Sequence, residues 1–368
     1  MRICIVQPKL DVVSETFLRG QADGLDASII HFGQSGLPAI NGTPILSQQP
    51  SRIVLRSLQR KLIRRPWSWE ITQAFIEGFR QIRAEVVLAQ YGPTAVEVMD
   101  ACRLSNIPLV AHFHGFDASR LPVLNQLKDH YNTLFAQAKA IISVSKPMSA
   151  KLISLGARPE RVHLNHYGVD VDKFCPSPVS SSKPVFLAVG RLVEKKSPHL
   201  TLLAFSKVIS AHPDARLRIV GDGPLRQVCD DLVHAMKLQR FVTLCGASSH
   251  EQVAKEMQAA RAFVQHSVEA LDGDSEGLPN SILEASASGL PVIATKHAGI
   301  PESVVHSKTG FLVEERDVDG MADAMIELAN NPSKAALMGS AGRDYMCESF
   351  QQRDSISRLR NILAKSIL

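Results

Sequence analysis

Two glutamates stand with seven residues between them in SEGLPNSILEASASGLPVIATKHAGIPE, residues 275–302. Glu276 lies in a Gly/Pro loop and Glu284 inside a run of helical character. Pro279 and Asn280 are residues that open helices, so a helix is expected to begin near them. Its N-terminus would offer unpaired N–H groups and partial positive charge, a place for phosphate. Were most of the interval helical, the two carboxylates would face similar sides, about 12 Å apart along the axis. That length could span a nucleoside diphosphate sugar, with Glu284 accepting from ribose hydroxyls and Glu276 from sugar hydroxyls. The plain alternative is a pair of solvated glutamates flanking a structural loop.

Other stretches hold residues that could serve the same ligand. In VGRLVEKKSPHLTLLAF, residues 189–205, an apolar run ends at Gly190; Arg191 and Lys196 follow, ahead of Ser197-Pro198, an expected N-cap and first-turn pair. Arg offers a planar fork to phosphate oxygens and Lys a mobile point charge; otherwise they are surface cations in a loop. In AHFHGFDAS, residues 111–119, period-two geometry puts His112 and His114 on one side, and Asp117 could orient the His114 imidazole. In DVVSETFLRGQ, residues 11–21, Ser14 is expected to cap a helix carrying Phe17 and Leu18. GDGP, residues 221–224, reads as a structural turn, since neither GxGxxG nor a Walker motif is present. Residues 52–65 carry six basic side chains and no acid, with Trp67 and Trp69 just beyond. This is a candidate surface for anionic membranes, or else a solvated helix face.

The elements that must position these residues alternate along the chain. Expected strands are 3–6, 28–32, 86–90, 109–113, 141–144 and 162–165, then 185–189, 217–220, 242–245, 262–265, 292–295 and 311–313, with amphipathic stretches between most of them. Buried runs alternating with helices indicate βαβ units and parallel sheets. The stretch CPSPVSSSKP, residues 175–184, reads as a linker. The expected organisation is an α/β chain of two doubly wound Rossmann-like domains facing across a deep cleft: 1–174 on the acceptor side, 185–348 for the nucleotide sugar, and a C-terminal helical segment, 349–368, returning to the first domain. The length of 368 residues suits two cores. The net charge of +5 suits an anionic small molecule or lipid surface, and no basic stripe with interleaved aromatics calls for nucleic acid. Six scattered cysteines form no CxxC pair, which argues against a zinc or disulfide framework and for a reducing, cytoplasmic setting. The N-terminus reads as a strand entering a loop rather than a signal peptide.

Taken in order, VSETF, FHGFD, NHYGVDVDKF, GRLVEKK, VGDGP and DGDSEGLPNSILEASASGLPVIAT resemble the family 4 retaining glycosyltransferases of the GT-B fold, over nearly the whole chain. The opening loop looks most like bacterial exopolysaccharide transferases of the colanic-acid type; it departs from the Gly-Gly loop with a following His of many relatives. The resemblance implies transfer of a hexose-type sugar from a UDP or GDP donor to a glycan or lipid-linked acceptor, with no cofactor and no metal, at the inner membrane face. It implies that Arg191 and Lys196 hold the diphosphate, Glu284 the ribose and Glu276 the donor sugar, with help from backbone N–H groups among Gly277, Leu278 and Asn280; Pro279 has none. His114 matches the family's site histidine in the first domain and joins Arg191, Lys196 and Glu276 as the expected catalytic set. Ser14, Glu15, Thr16 and Asp117 border the acceptor side. Asp272-Gly273-Asp274 is expected to be a loop beside the donor, not a metal site. The competing expectations are a sugar-nucleotide epimerase of the same fold and a non-catalytic carbohydrate-binding protein.

Overall fold

The computed structural model describes residues 1–9, 16–32, 36–46 and 67–368. Two compact units divide the chain: Met1–Asn165 with Ile356–Leu368, and His166–Ser355.

The first unit holds β1 (Ile3–Gln7), β2 (Ser28–Phe32), β3 (Pro38–Ile40), β4 (Thr43–Pro44), β5 (Val86–Gln90), β6 (Leu109–His112), β7 (Ala140–Ser143) and β8 (Val162–Leu164). They form an eight-stranded sheet in the order β4-β3-β2-β1-β5-β6-β7-β8. From β2 to β8 every neighbouring pair is parallel. Strands β1, β5, β6 and β7 are buried along their whole length. Helices on both faces demand this, so these strands are continuous apolar runs rather than alternating ones. The winding reverses between β1 and β5, which makes their carboxyl ends the expected ligand position.

Strands β3 and β4 were not among the expected strands. They are short, contain prolines and pair antiparallel at the sheet edge, with Ile40 opposite Thr43. Their two-residue loop is Asn41-Gly42, at φ 50° and 80°. An Asn-Gly pair at positive φ is the strongest short hairpin signal a sequence carries.

The second unit holds β9 (Val185–Val189), β10 (Arg216–Val220), β11 (Val242–Gly246), β12 (Ala262–Gln265), β13 (Val292–Thr295) and β14 (Gly310–Val313) in a six-stranded sheet ordered β11-β10-β9-β12-β13-β14. All its neighbours are parallel. The reversal lies between β9 and β12. These two pair only at Phe186–Ala262 and Leu187–Phe263, so they part toward their carboxyl ends. Ala188, Val189, Val264 and Gln265 line the pocket so formed, together with Arg191 and Lys196.

The chain passes between units at Asn165/His166 and at Ser355/Ile356. The Pro/Ser stretch 175–184 lies inside the second unit. Ser177 N–H donates to Ser288 O at 2.8 Å and its hydroxyl to Gln258 O at 3.0 Å. Val179 is buried, and the Arg261 Nε–H donates to Ser182 Oγ at 2.9 Å. Proline and serine there mark irregular backbone, but that backbone is anchored. The helix Gln352–Ile367 sends Leu359 and Leu363 into the first unit's core, with Ile3, Ile5, Leu25, Val86, Leu88 and Ile142. Among the described residues no helix is long and apolar enough to cross a membrane.

Candidate functional site

In the second unit the chain leaves β9 at Gly190 and bends through Arg191 and Leu192 into a short 3-10 turn, Glu194–Lys196. Ser197 follows in the left-handed conformation, φ 38°, and the helix Pro198–Ala211 begins. The expected Ser197 side-chain cap does not form: its hydroxyl donates back to Glu194 O at 2.7 Å. That left-handed corner reverses the chain, so the Lys196 side chain folds over Gly190. GDGP supports the bend, as a structural turn. Leu192 N–H donates to Asp222 O and Leu225 N–H to Leu192 O, each at 2.9 Å. A Cβ on Gly221, φ 142°, would stand 1.9 Å from Gly190 O, so only glycine fits.

Lys196 Nζ lies 3.0 Å from Glu276 Oε1 and donates to Gln265 Oε1 at 3.3 Å. Ser281 Oγ donates to the same Gln265 oxygen at 3.2 Å, and Gln265 Nε2–H donates to Ser267 Oγ at 2.8 Å. The helix Asn280–Ala287 starts at its expected place, so Glu276 sits in the loop before it and not on it. Glu284 is one turn beyond Ser281, on a neighbouring face. Arg191 is exposed at the rim. Among the described residues, the N–H groups of Gly277, Leu278 and Asn280 donate to no protein group. A cation, two carboxylates and a row of open amides therefore gather at the switch point of this sheet.

The charges differ by surroundings. Burial pushes the Glu276 carboxyl up, but the charges of Lys196 and then Lys195 oppose it, and the group is held below the usual carboxylate value. Glu284 is raised by burial to about 7, with only Lys196 opposing. Burial draws the Lys196 amine below its ordinary value, against the pull of Glu276.

The Asp272-Gly273-Asp274 loop is closed by a lysine the motif reading passed over. Lys195, buried, places Nζ 2.9 Å from Asp274 Oδ1 and 3.2 Å from Ser275 O. Asp274 N–H donates to Asp272 Oδ1 at 3.1 Å. Among the described residues no three His, Cys, Asp or Glu side chains gather as a metal set.

In the first unit, His112 and His114 do share a side, with ring centroids 4.3 Å apart. Tyr91 stands 4.6 Å and Phe17 5.1 Å from His114. Burial lowers His112 to about 3, and burial and then His112 lower His114 well below the usual value; both are neutral. Asp117 does not orient the imidazole. Its carboxylate accepts from the N–H groups of Gly92, His114 and Gly115 at 2.9, 3.0 and 2.8 Å, and shapes the loop. The imidazole is instead held by Gln90, whose Oε1 is 2.8 Å from Nε2 and whose Nε2–H donates to Gln21 Oε1 at 2.9 Å. This makes Nε2 the protonated nitrogen. Ser14, Glu15 and the basic stretch Arg52–Arg65 lie outside the described residues; Thr16 opens the helix Thr16–Leu25.

Gln265, Ser281, Lys195 and Gln90 are the site residues that sequence reasoning missed. Gln90 and Gln265 each end an apolar strand, and a polar residue at that edge is the signal that could have found them.

Residues 17–173 match the pattern described as Glycosyltransferase Family 4, and residues 172–345 match Glycosyl transferases group 1. Over 286 residues the chain is 33% identical to a protein of Escherichia coli K12 named for colanic acid biosynthesis, the glycosyltransferase WcaL. The match covers 76% of this chain and 70% of that one. The chain belongs to this glycosyltransferase family.

This glycosyltransferase is also similar, at 30% identity over 279 residues and 70% of each chain, to a GDP-mannose-dependent alpha-(1-6)-phosphatidylinositol monomannoside mannosyltransferase of Mycolicibacterium smegmatis. Among solved structures it resembles Anabaena HepE in complex with UDP and glucose, with a TM-score of 0.79 and 20% identity, covering 99% of this chain and 100% of that one. The fold of the glycosyltransferase is accordingly GT-B, with two Rossmann-like α/β domains. His114 and Asp117 fall in the family 4 segment; Arg191, Lys196, Glu276 and Glu284 fall in the group 1 segment.

Proposed function

We propose that this glycosyltransferase moves a hexose from a nucleoside diphosphate, UDP first and GDP second, to a glycan or lipid-linked acceptor in cell-surface polysaccharide assembly. The observation that carries this reading is the cluster of Lys196, Glu276, Gln265 and open amides where β9 and β12 part. UDP is put first on the UDP-bound structural neighbour, 20% identical, and GDP stands as the alternative because a relative 30% identical to this chain is named for GDP-mannose. The names of the relatives support the polysaccharide setting.

In this reading Arg191 and Lys196 hold the diphosphate, Glu284 accepts from the ribose, and Glu276 with the Gly277, Leu278 and Asn280 amides faces sugar and phosphate. The bond from the sugar carbon to phosphate oxygen breaks, and a bond to the acceptor oxygen forms on the same face, with retention. The acceptor proton goes to the departing phosphate oxygen. Negative charge grows on that phosphate, and in this reading the cations and amides stabilise it. Preorganised donors of this kind are worth about 3–4 kcal/mol each, and no metal is required. His114 and Asp117 serve the acceptor side of the first unit, with Ser14, Glu15 and Thr16.

A thermal-shift screen of UDP-glucose, UDP-galactose and GDP-mannose identifies the donor, since binding to the folded state raises stability. Arg191→Ala and Lys196→Ala should each lower turnover of that donor by about tenfold or more, with circular dichroism unchanged. Near-parental turnover in both variants would remove them from the mechanism.

A further inference from the structure

The turn after β13 makes contacts that the reading above does not use. His297 is 3% exposed. Its Nδ1 lies 2.6 Å from Glu315 Oε1, and two donors converge on its Nε2: the Glu276 N–H at 3.1 Å and the Ser275 hydroxyl at 3.0 Å. An amide N–H can only donate, so Nε2 must present its lone pair and Nδ1 must carry the proton. Glu315 is itself fixed, because its Oε2 accepts from Glu269 N–H at 3.0 Å and from Arg316 Nη1 at 3.5 Å.

The same turn reaches the next peptide but one. Gly299 N–H donates to Gly277 O at 3.2 Å. The amide of Glu276 and the carbonyl of Gly277 are therefore both pinned from one side, and Lys195 pins the preceding carbonyl, Ser275 O, from the other. Between these pins lies the peptide that carries the open Gly277 N–H. Rotating it would turn that donor, and it adjoins the Cα from which the Glu276 carboxylate reaches Lys196.

We propose that His297 and Glu315 form a positioning pair that orients the Ser275–Gly277 backbone, and through it the Glu276 carboxylate and the amides that follow. Neither side chain touches a reacting atom. The inference rests on the reading of this loop as the sugar-facing element. It gives a specific role to the tautomer. In Glu315→Gln the amide can donate to Nδ1, which moves the ring proton to Nε2 and sets it against the Glu276 N–H, donor to donor. Sub-ångström disorder of reacting groups is costly in rate, about a hundredfold for 1 Å.

The test uses the full chain as parent, His297→Ala, His297→Gln and Glu315→Gln. UDP-glucose and GDP-mannose serve as probes for donor cleavage without acceptor, UDP and GDP alone are titrated by calorimetry, and deuterium uptake is followed in the peptide covering 269–280. His297→Ala and Glu315→Gln should lower kcat about tenfold or more, with KM and nucleotide affinity within about threefold of the parent. Faster exchange should be confined to 269–280. His297→Gln keeps an acceptor for the Glu276 N–H and should recover part of the rate. Parental kcat and exchange in His297→Ala and Glu315→Gln would overturn the proposal; so would exchange that rises across the whole second unit, the mark of general destabilisation. The exchange arm needs no donor. If the parent binds neither nucleotide, the proposed function fails, while exchange still decides whether the pair orients the loop.

Discussion

Glu276 and Glu284 carry the same group into different surroundings, and their charges part accordingly. Cations around Glu276 keep it ionised against its burial. Glu284 is raised by burial to about 7 from an ordinary value of 4.5, with Lys196 as the one opposing charge. The folded protein thus binds more protons at Glu284 than the unfolded chain between those values, so this group's contribution to stability falls as pH rises across that window. Urea unfolding at pH 5 and pH 7.5 should show this slope in the parent and a shallower one in Glu284→Gln. In its proposed ribose role Glu284 acts as a carboxylate, so nucleotide affinity should rise with pH through about 7 in the parent, and Glu284→Gln should bind UDP or GDP more weakly above it. Equal binding by variant and parent at pH 8 would take Glu284 away from the ribose.

At the scale of elements, loops are held by side chains whose partners lie far along the chain. Asp117 accepts three backbone N–H groups from two segments while fully buried. Asp117→Ala strands all three donors and should destabilise the first unit by about 3–5 kcal/mol in urea unfolding, with Asp117→Asn intermediate. A loss below that of an ordinary surface change would show that water replaces the carboxylate. The apolar runs expected as strands all became strands, because a buried parallel strand announces itself by composition. The β3–β4 hairpin escaped because its pairs are short and its signal is only Asn41-Gly42. The positions of Glu276, Glu284, Arg191 and Lys196 were legible as motif and spacing. Their supports were not: Gln90, Lys195 and His297 act through tertiary contacts between segments 21 to 79 residues apart, and no local period encodes such a contact. The Pro/Ser stretch misleads for the same reason, since composition shows irregular backbone but not the Ser177 and Ser182 contacts that anchor it.

At the scale of the molecule, each unit places its polar side chains where the winding of its sheet reverses, Gln90 and His114 in one, Lys196 and Gln265 in the other. A membrane-bound acceptor would bring the first unit to anionic lipid, and the basic stretch Arg52–Arg65 is the proposed contact. Replacing Arg56, Arg60, Arg64 and Arg65 by Gln should abolish salt-sensitive binding to anionic vesicles and leave nucleotide binding unchanged; equal binding to neutral vesicles would reject the contact. Leu363 stands in the first unit's core although nearly two hundred residues separate it from that unit's other segment. Leu363→Ala should cost that unit about 2–5 kcal/mol, read as an earlier unfolding transition. The same connection sets an order of assembly on the ribosome. The second unit is continuous and can close as soon as it emerges, whereas the first must wait, with part of its apolar interior uncovered, until residues 359 and 363 are made. For this chain the usual N-terminal-first sequence of domain folding is inverted at its last step, and a nascent chain stalled before residue 356 should be the species that chaperones hold.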